Sequence, residues 1–457
     1  MKRCSTYKDS GVKWIGEIPK HWITANFRYI ISTLTDYTAN GSFASLAKNV
    51  TYLEEGFSRL VRLTDLRDKL LNKGLYVDRH AHQFLSKSQL FGGELLMANV
   101  GAYSGLVIMM PSVETPHTLA PNMFLLKLTT DHDFFFYLLN TPPFSETLKI
   151  TAISSAQPKL NKENVRQLKV ILPPLPEQKA IASYLDTKTA QIDHLIQLKE
   201  RKIELLKEKR QALINETVTK GLDPSVPMKD SGVEWIGEIP EHWGVKKMKY
   251  GLSLKTEKGE PMSDDIKISP ENVQSYTGVC NNMHSEYSGD GVIFEKGDIL
   301  FNKLRLYLAK IWFATLSGYS MGEMIVLSPN KITNGKYMFY QFFIQGFIDL
   351  LDAQSTGVKM PRVSPEVILN TLLCFPPSYE QEEIASYLNK QSKEIYSLIK
   401  DEKIKINLLK EYRQSLISEA VTGQIRVCEE DVSAHQTQNV CVDLQKNDLK
   451  RISKMHW

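Results

Sequence analysis

The chain contains 457 residues, of which 42% are hydrophobic and 24% are charged, and its formal net charge is +4. A chain of this length and composition can bury a core in each of two or more domains, which excludes a disordered protein. Because the net charge is small, a polyanionic partner would have to be bound by local basic patches and not by a field over the whole molecule.

The cysteine pattern and the hydropathy exclude further classes. The five cysteines are scattered and form no Cys-x-x-Cys pair, which argues against a disulfide framework and a zinc ribbon. The first residues lack the apolar core of a signal peptide, and no segment approaches the roughly 18 apolar residues of a membrane span. The sequence therefore predicts a soluble, cytoplasmic protein without membrane contact.

Two sequence blocks occur twice. The block from Lys8 to Trp22 recurs from Lys229 to Trp243, with changes confined to Lys13/Glu234 and Lys20/Glu241. A second block, Glu-Gln-x-x-Ile-Ala-Ser-Tyr-Leu, starts at Glu177 and again at Glu380. The period of about 200 residues makes each repeat large enough to be a domain. Similar ends flank divergent middles, an arrangement suited to a constant scaffold that carries two variable recognition surfaces.

The variable segments predict an α+β fold. Short apolar runs predict buried strands at 106–110, 124–128 and 324–327. Helices are predicted at 134–139 and 337–351. Proline-rich sequences at 172–176 and 375–377 end the preceding strands and prepare a helix start.

A long helix is predicted after each proline-rich sequence, over 176–221 and 379–425. Apolar residues recur there in an alternating four-three heptad pattern. Each helix should be about 60 Å long at about 1.5 Å per residue. The residues of the predicted seam, including one central charged pair, are Leu185, Ile192, Ile196, Lys199, Ile203, Leu206, Leu213, Leu388, Ile395, Ile399, Glu402, Ile406, Leu409 and Leu416.

We expect the two helices to pair antiparallel. Lys199 and Glu402 occupy equivalent central positions, so antiparallel packing brings opposite charges together. Parallel packing would align Arg210 with Arg413, a repulsive pair.

Common enzyme signatures are missing from the sequence. It contains no phosphate-binding P-loop, no Gly-x-Gly-x-x-Gly turn, no Gly-x-Ser-x-Gly elbow and no His-Glu-x-x-His helix. The segment from Asn140 to Phe144 resembles the Asn-Pro-Pro-aromatic motif of amino-methyltransferases, but Thr141 stands where that motif needs an acceptor. We interpret the segment as a helix-ending turn, and the tryptophans and histidines of the repeated blocks as structural.

Two equivalent loops supply most candidate nucleic-acid contacts. They follow the apolar strands after Gly93 and Gly297, and each carries an amide and a tyrosine. Asn can read adenine, Arg or Lys can read guanine, and Tyr can stack or bind phosphate. For any single residue, an ordinary surface loop is an equally good interpretation. The candidates, including basic residues near the proline-rich sequences, are Arg62, Asn99, Tyr103, Lys159, Asn302, Lys303, Arg305, Tyr307, Lys359 and Arg362.

Taken together, the motifs resemble the specificity (S) subunits of type I DNA restriction-modification systems. The resemblance is carried by the Asp-Ser-Gly-Val-x-Trp-Ile-Gly-Glu-Ile-Pro-x-His-Trp openings, the Gly-Asp/Glu-Ile/Leu-Leu strands, and the Pro-Pro-x-x-Glu-Gln-x-x-Ile-Ala-x-Tyr-Leu helix starts. It implies two pseudo-symmetric globular target-recognition domains that alternate with two long helices paired as an antiparallel coiled coil. The expected domains are 1–175 and 222–378, the helices are 176–221 and 379–425, and 426–457 is a divergent tail that we expect to be poorly ordered or to contact a partner.

The resemblance also implies a function. Each recognition domain would read one half of a bipartite site in double-stranded DNA, while the helices set the half-site spacing and dock two methylase (M) subunits. Restriction (R) subunits would join through the methylase core. The chain itself would be non-catalytic and hold no cofactor, with S-adenosylmethionine, ATP and Mg on partner subunits that carry out adenine-N6 methylation and DNA cleavage.

Two alternatives belong to other classes. A coiled-coil adaptor that binds protein and has no DNA role would also fit duplicated helices and a modest charge. A self-sufficient nuclease or methyltransferase is disfavoured because no active-site motif is recognisable. The sequence departs from the family pattern at 302–305 and at Met360-Pro361, where small residues and an amide are more usual.

Overall fold

The computed structural model of the protein describes residues 6–12, 14–151 and 159–427. The chain divides into two compact units: unit 1 comprises Met1–Gln197 and Lys405–Trp457, and unit 2 comprises Leu198–Ile404. Each unit combines one of the two predicted recognition domains with parts of both long helices. The predicted tail at 426–457 lies outside the described residues from position 428 onward.

Unit 1 is built from short strands and short helices that precede a long helix. Its strands are β1 (Tyr7–Asp9), β2 (Glu17–Pro19), β3 (Ile23–Asn26), β4 (Ile31–Asp36), β5 (Ser58–Val61), β6 (Leu75–Val77), β7 (Gln89–Leu90), β8 (Leu95–Ala98), β9 (Val107–Met109), β10 (His117–Leu119), β11 (Met123–Leu128) and β12 (Lys169–Leu172). Its helices are α1 (Phe43–Asn49), α2 (Leu63–Arg67), α3 (Arg79–Phe84), α4 (His132–Leu139), α5 (Pro142–Thr151), α6 (Lys162–Gln167) and the first part of α7 (Leu175–Lys220). Short 3-10 helices lie at Phe27–Tyr29, Tyr37–Asn40 and Ser86–Ser88.

Two four-stranded sheets form the body of unit 1. One is antiparallel, in the order β4-β11-β8-β9, and its strand β8 is buried at every residue. The other has the order β6-β5-β10-β7, in which β5 and β10 are parallel. A continuous apolar run such as β8 is typical of a strand covered on both faces. Side chains from both sheets meet in one cluster that includes Leu96, Leu119 and Leu125.

Unit 2 repeats most of these elements, but its described residues contain no α-helical counterparts of helices α1, α2 and α3. Its strands are β13 (Met228–Asp230), β14 (Glu238–Pro240), β15 (Gly244–Lys247), β16 (Leu252–Lys255), β17 (Lys258–Gly259), β18 (Lys267–Ile268), β19 (Gly291–Phe294), β20 (Ile299–Asn302), β21 (Ile311–Phe313), β22 (Gly318–Ser320), β23 (Met324–Pro329) and β24 (Leu372–Phe375). Its helices are the last part of α7, α8 (Gly335–Gln341), α9 (Gln345–Ala353), α10 (Pro365–Asn370) and the first part of α11 (Ser378–Val421). Short 3-10 helices lie at Met248–Tyr250, Pro270–Asn272 and Leu306–Leu308.

The antiparallel sheet of unit 2 has the same strand order as that of unit 1, but the second sheets differ at one edge. In unit 1 the outer strand β6 pairs with β5 of the parallel pair, whereas in unit 2 the outer strand β17 pairs with β19, at the opposite edge. The antiparallel sheet has the order β16-β23-β20-β21, equivalent to β4-β11-β8-β9. The second sheet, β17-β19-β22-β18, again contains one parallel pair, β18 with β22. Outside these sheets, β15 pairs with β24 as β3 pairs with β12. The predicted α+β architecture of two pseudo-symmetric domains and two long helices is confirmed.

The long helices pair antiparallel within each unit. In unit 1, Arg413 Nε on α11 lies 3.0 Å from Asp193 Oδ1 on α7. In unit 2, Lys199 Nζ on α7 lies 3.0 Å from Glu402 Oε2 on α11, and Lys202 Nζ lies 2.9 Å from Glu402 Oε1. The predicted Lys199–Glu402 pair is therefore confirmed, and Lys202 is an additional partner.

Two seam residues and one helix end differ from the sequence prediction. The predicted apolar seam residues are buried except Leu206 and Leu213, which are half-buried. Leu213 lies at the edge of the unit 2 core because its neighbour Ile214 takes the buried position. Helix α11 ends at Val421 and not at 425, since Gly423, with a φ of +72°, turns the chain out of the helix.

The predicted strands are confirmed. The predicted helix-ending turn is confirmed at Asn140, where α4 ends, but Pro142–Phe144 of the same segment begin helix α5. The helix predicted at 337–351 is wrong in one respect. It is two helices, α8 and α9, separated by a break at Phe342–Ile344. Ile344 is extended, with a φ of −64° and a ψ of 126°. The break lets Phe342 stack on Phe347 with ring centroids 5.4 Å apart, and both rings are fully buried. Aromatic packing in the core thus overrides the local helical pattern.

Candidate nucleic-acid interface

The two repeated sequence blocks form one structural joint in unit 1. Glu177, in the first turn of α7, accepts a hydrogen bond from Trp22 Nε1 at 2.8 Å, and its other oxygen lies 2.7 Å from His21 Nε2. Trp22 is 2% exposed, so its indole is a core anchor as predicted. The joint fixes the start of the long helix to the opening block of the unit.

Unit 2 contains the same joint. Trp243 Nε1 donates to Glu380 Oε2 at 2.9 Å, and His242 Nε2 lies 2.7 Å from Glu380 Oε1. Although partial burial opposes ionisation, hydrogen bonds from His242, Trp243 and Tyr379 hold the pKa of Glu380 below its usual value. Repetition of this geometry explains why both blocks recur in the sequence.

The candidate loop of unit 1 is pinned between two other segments. Asn99 follows β8; its backbone N–H donates to the Asn122 carbonyl at 3.1 Å, and its carbonyl accepts from Leu160 N at 2.9 Å. Val100 forms an antiparallel β-bridge with Lys159. Asn99, Asn122 and Lys159 therefore come together, although they are far apart in the sequence.

A cleft of about 820 Å³ opens beside these three residues in unit 1. Asn99 is 7% exposed, and its side-chain oxygen is buried without a hydrogen-bond partner among the described residues. An unpaired buried amide is costly, so it points to a ligand group or water that would complete it. The cleft also contains Lys162, which is paired with Asp36 at 3.0 Å, and the exposed ring of Phe43.

Arg62 and Tyr103, the other candidates of unit 1, lie in different settings. Arg62 Nη2 and Nε donate to the two oxygens of Asp65 at 2.8 and 3.0 Å. Burial by itself would raise the pKa of Asp65, but these hydrogen bonds keep the pKa below its usual value. Arg62 thus has a structural partner. Tyr103 is 47% exposed, and the Arg67 guanidinium lies 4.6 Å from its ring centroid, which leaves part of the ring available for stacking.

In unit 2, the equivalent loop has the same backbone frame and different side chains. The backbone N–H of Lys303 donates to the Glu323 carbonyl at 3.1 Å, and the Lys303 carbonyl accepts from Val363 N at 3.1 Å. Leu304 forms an antiparallel β-bridge with Arg362. The frame therefore places Lys303 where unit 1 has Asn99. The preceding residue, Asn302, is buried. Its side-chain amide donates to the Leu304 carbonyl and accepts from the Leu304 backbone N–H, which closes the turn.

The remaining candidates of unit 2 are exposed. Arg305 has a φ of +51° and an exposed side chain, and Tyr307 is 49% exposed in the following 3-10 helix. Lys359 is exposed in the turn before Arg362. Arg362 is itself half exposed and lies 2.8 Å from Glu323 Oε1. Basic and aromatic groups thus gather at one loop cluster, as nucleic-acid binding requires.

Two residues of these clusters, Asn122 and Glu323, are not among the predicted contacts. Each stands directly before an apolar strand that begins with methionine, β11 or β23. A polar residue directly before an apolar strand, at the same place in both halves, is the sequence signal that identifies Asn122 and Glu323 as candidates. Their proximity to the loops depends on antiparallel pairing of β11 with β8 and of β23 with β20, which periodicity alone does not give.

Comparison with known proteins decides the family. The model of the type I restriction modification DNA specificity domain matches twice, at residues 79–208 and 268–408, which together are more than half of the chain. The chain belongs to this family. One match lies in each half of the sequence, as the predicted duplication requires.

Curated relatives of the family are similar over most of their length. The putative type I restriction enzyme MjaX specificity subunit of Methanocaldococcus jannaschii is 24% identical over 439 residues, which cover 92% of this chain and 98% of the relative. The EcoDI specificity subunit of Escherichia coli is 23% identical over 317 residues, covering 64% of this chain and 70% of the relative. The sequence-based assignment to the type I specificity subunits is confirmed.

Solved structures share the fold. A chain from a study of complex assembly and conformational transition in the type I R-M system matches with a TM-score of 0.64 at 13% identity, covering 89% of this chain and 99% of that chain. The HsdS subunit of Thermoanaerobacter tengcongensis matches with a TM-score of 0.51 at 14% identity, covering 89% and 98%. Within the described residues, no helix is long and apolar enough to cross a membrane.

Proposed function

We propose that this specificity protein directs a type I restriction-modification complex to a bipartite DNA site, with unit 1 reading one half-site and unit 2 the other. The observation that carries the proposal is the double occurrence of the DNA specificity domain. Most of each match lies in one unit, and each unit presents a loop on the same backbone frame. Basic, amide and aromatic side chains at these loops suit contacts to phosphates and base edges.

The long helices have a second role in the proposal. Helices α7 and α11 are continuous over 46 and 44 residues, so their length limits the spacing between the two half-sites. Their outward faces would dock two methylase subunits, and restriction subunits would join through this methylase core. Exposed apolar side chains on the helices, among them Leu198, Leu205 and Leu398, suit protein contacts.

Catalysis belongs to the partners in this proposal. S-adenosylmethionine, ATP and Mg would be bound by the methylase and restriction subunits, which would methylate adenine at N6 or cleave DNA in the cytoplasm. This chain would contribute sequence recognition and the docking surface. The adaptor alternative lacks support, since the family that the chain belongs to is defined by DNA specificity.

DNA binding by the chain together with its methylase subunit tests the proposal. The complex should bind DNA with an affinity that falls as salt rises, because phosphate contacts release counterions. Fluorescence anisotropy with labelled duplex at several salt concentrations measures this slope, and the methylase subunit alone is the control. A stable protein complex without salt-dependent DNA affinity would favour the adaptor.

A further inference from the structure

The two units share three equivalent side-chain positions. Backbone hydrogen bonds join the loop residue to the residue before β11 or β23, and a β-bridge brings in a basic residue. In unit 1 these positions hold Asn99, Asn122 and Lys159. In unit 2 they hold Lys303, Glu323 and Arg362. The backbone frame is constant while the hydrogen-bonding character of the side chains changes.

In unit 2 the three side chains form a half-exposed charged cluster. Glu323 Oε1 lies 2.8 Å from Arg362 Nη2, and Glu323 Oε2 lies 3.4 Å from Lys303 Nζ. The side chains are 28% exposed for Glu323, 30% for Lys303 and 53% for Arg362. Ion pairs this close to solvent contribute little to stability, so their members can exchange partners with a ligand.

The chemistry of the cluster matches one base pair. Lys and Arg donate to O6 and N7 of guanine in the major groove, and a Glu carboxylate accepts from N4 of cytosine. We propose that these three positions form the base-reading cluster of each unit, and that the cluster of unit 2 recognises a G·C base pair. This inference rests on the proposed function and adds the base identity.

The cluster of unit 1 has a different chemistry on the same frame. Asn99 and Asn122 supply amides, which pair with N6 and N7 of adenine, and Lys159 is exposed beside them. All three residues line the 820 Å³ cleft, and the Asn99 oxygen has no partner among the described residues. Unit 1 therefore suits an A·T pair where unit 2 suits G·C.

Transplanting the unit 1 cluster into unit 2 tests the inference. The variant is Lys303→Asn, Glu323→Asn and Arg362→Lys. Transplanting from unit 1 to unit 2 avoids backbone strain. The reverse exchange would place Glu at position 122, where φ is +69°, a value that Asn adopts far more readily than Glu. The backbone at Glu323 has no positive φ, so Asn fits there without strain. The complex of this chain with its methylase subunit is incubated with a library of DNA duplexes, and N6-methyladenine is mapped on the methylated molecules.

The wild-type complex should methylate a gapped motif with a G·C pair in one half. In the variant, the preference for G·C at that position should fall by about 5- to 150-fold, the range for one good base contact, while the other half stays unchanged. The control Lys331→Asn removes an exposed charge of the same unit outside the cluster and should leave the motif unchanged.

Three results would overturn the inference. One is an unchanged motif in the triple variant, another is a change in both halves, and the third is a wild-type motif without a G·C pair in the affected half. If the triple variant fails to fold, Glu323→Gln replaces it; this substitution keeps the size of the side chain and should relax the same position. A wild-type complex that methylates no gapped motif would instead contradict the proposed function.

Discussion

Glu402 is a buried carboxylate that two lysines share. Its side chain is 4% exposed, and the pairs with Lys199 and Lys202 measure 3.0 and 2.9 Å. Glu402→Ala should lower the free energy of unfolding by about 1–2 kcal/mol, because two charge-assisted hydrogen bonds are lost and Lys202 is largely screened by solvent. Urea unfolding at neutral pH measures the change.

Charge reversal distinguishes a direct Lys199–Glu402 interaction from a general loss of stability. Lys199→Glu and Glu402→Lys should each destabilise the protein, and the double variant should recover part of the loss, since the opposite charges meet again. Arg201→Glu, a reversal at an exposed position of the same helix, is the control. Strict additivity of the two single effects would contradict the antiparallel pairing.

Glu380 makes the protein sensitive to acid. Hydrogen bonds from His242, Trp243 and Tyr379 lower its pKa below the usual 4.5. A lowered carboxyl pKa contributes stability above pH 4.5, and that contribution is lost as the pH falls through the folded-state pKa. Glu380→Gln should therefore cost more stability at pH 7 than at pH 3, as measured by urea unfolding at both values. An equal loss at both pH values would assign the effect to packing.

For single residues, the sequence predicts a contact correctly where the internal duplication places two side chains at equivalent positions. The Lys199–Glu402 pair follows from two equivalent positions near the centre of two repeated helices. By contrast, the bonds of Glu177 and Glu380 to the opening blocks join segments that only the tertiary fold brings together. The repeated blocks indicate that both segments have a shared role in each half, and the structure shows that the two segments contact each other.

The ends of the long helices depend on glycine. A Cβ atom on Gly423 would lie 2.5 Å from Pro19 Cδ and 3.0 Å from the Trp22 ring, and its φ is +72°. Gly423→Ala should destabilise unit 1 by about 1–2 kcal/mol from φ alone, and the clash should add to this. Gly11→Ala is the matched control, because its φ is +68° with open space around it. Equal losses in thermal unfolding would show that the contact is unimportant.

One arginine position of the repeated helix has a different role in each unit. Arg210 is 5% exposed, donates to the Tyr276 carbonyl at 2.8 Å and to the Thr277 carbonyl at 3.3 Å, and lies over the Tyr396 ring at 5.0 Å. Arg413 has a half-exposed pair with Asp193.

Arg210→Ala should therefore cost about 2–4 kcal/mol, because two partly buried backbone carbonyls lose their hydrogen bonds from the guanidinium and a cavity remains. Arg413→Ala should cost about 0–1 kcal/mol. Urea unfolding of both variants gives the comparison. A larger loss for Arg413→Ala would contradict the assignment of Arg210 as the anchor.

Element positions are well predicted where one local pattern dominates. The heptad pattern predicts both long helices to within a few residues, and the short apolar runs become strands β9, β11 and β23. The prediction fails at 342–344, where burial of Phe342 and Phe347 requires a break in a helix-compatible sequence. Local periodicity carries no information on such a tertiary demand.

At the scale of the whole molecule, the duplication is the main functional feature. Each unit has the same antiparallel sheet, the same joint between helix and opening block, and the same loop frame, while the side chains on the frame differ. Such a division allows recognition to change without a change in the scaffold. The sequence alone reveals the duplication, but the correspondence of Asn122 with Glu323 requires the strand pairing that the structure shows.

A genome-wide map of N6-methyladenine in the source cell, compared with a strain that lacks the gene, is the decisive test of DNA specificity. Deletion should remove methylation at one bipartite, gapped motif and leave other motifs unchanged, and reintroduction of the gene should restore the lost methylation. Methylation that is the same in both strains, although the methylase subunit is expressed and active, would contradict the assignment of DNA specificity to this chain.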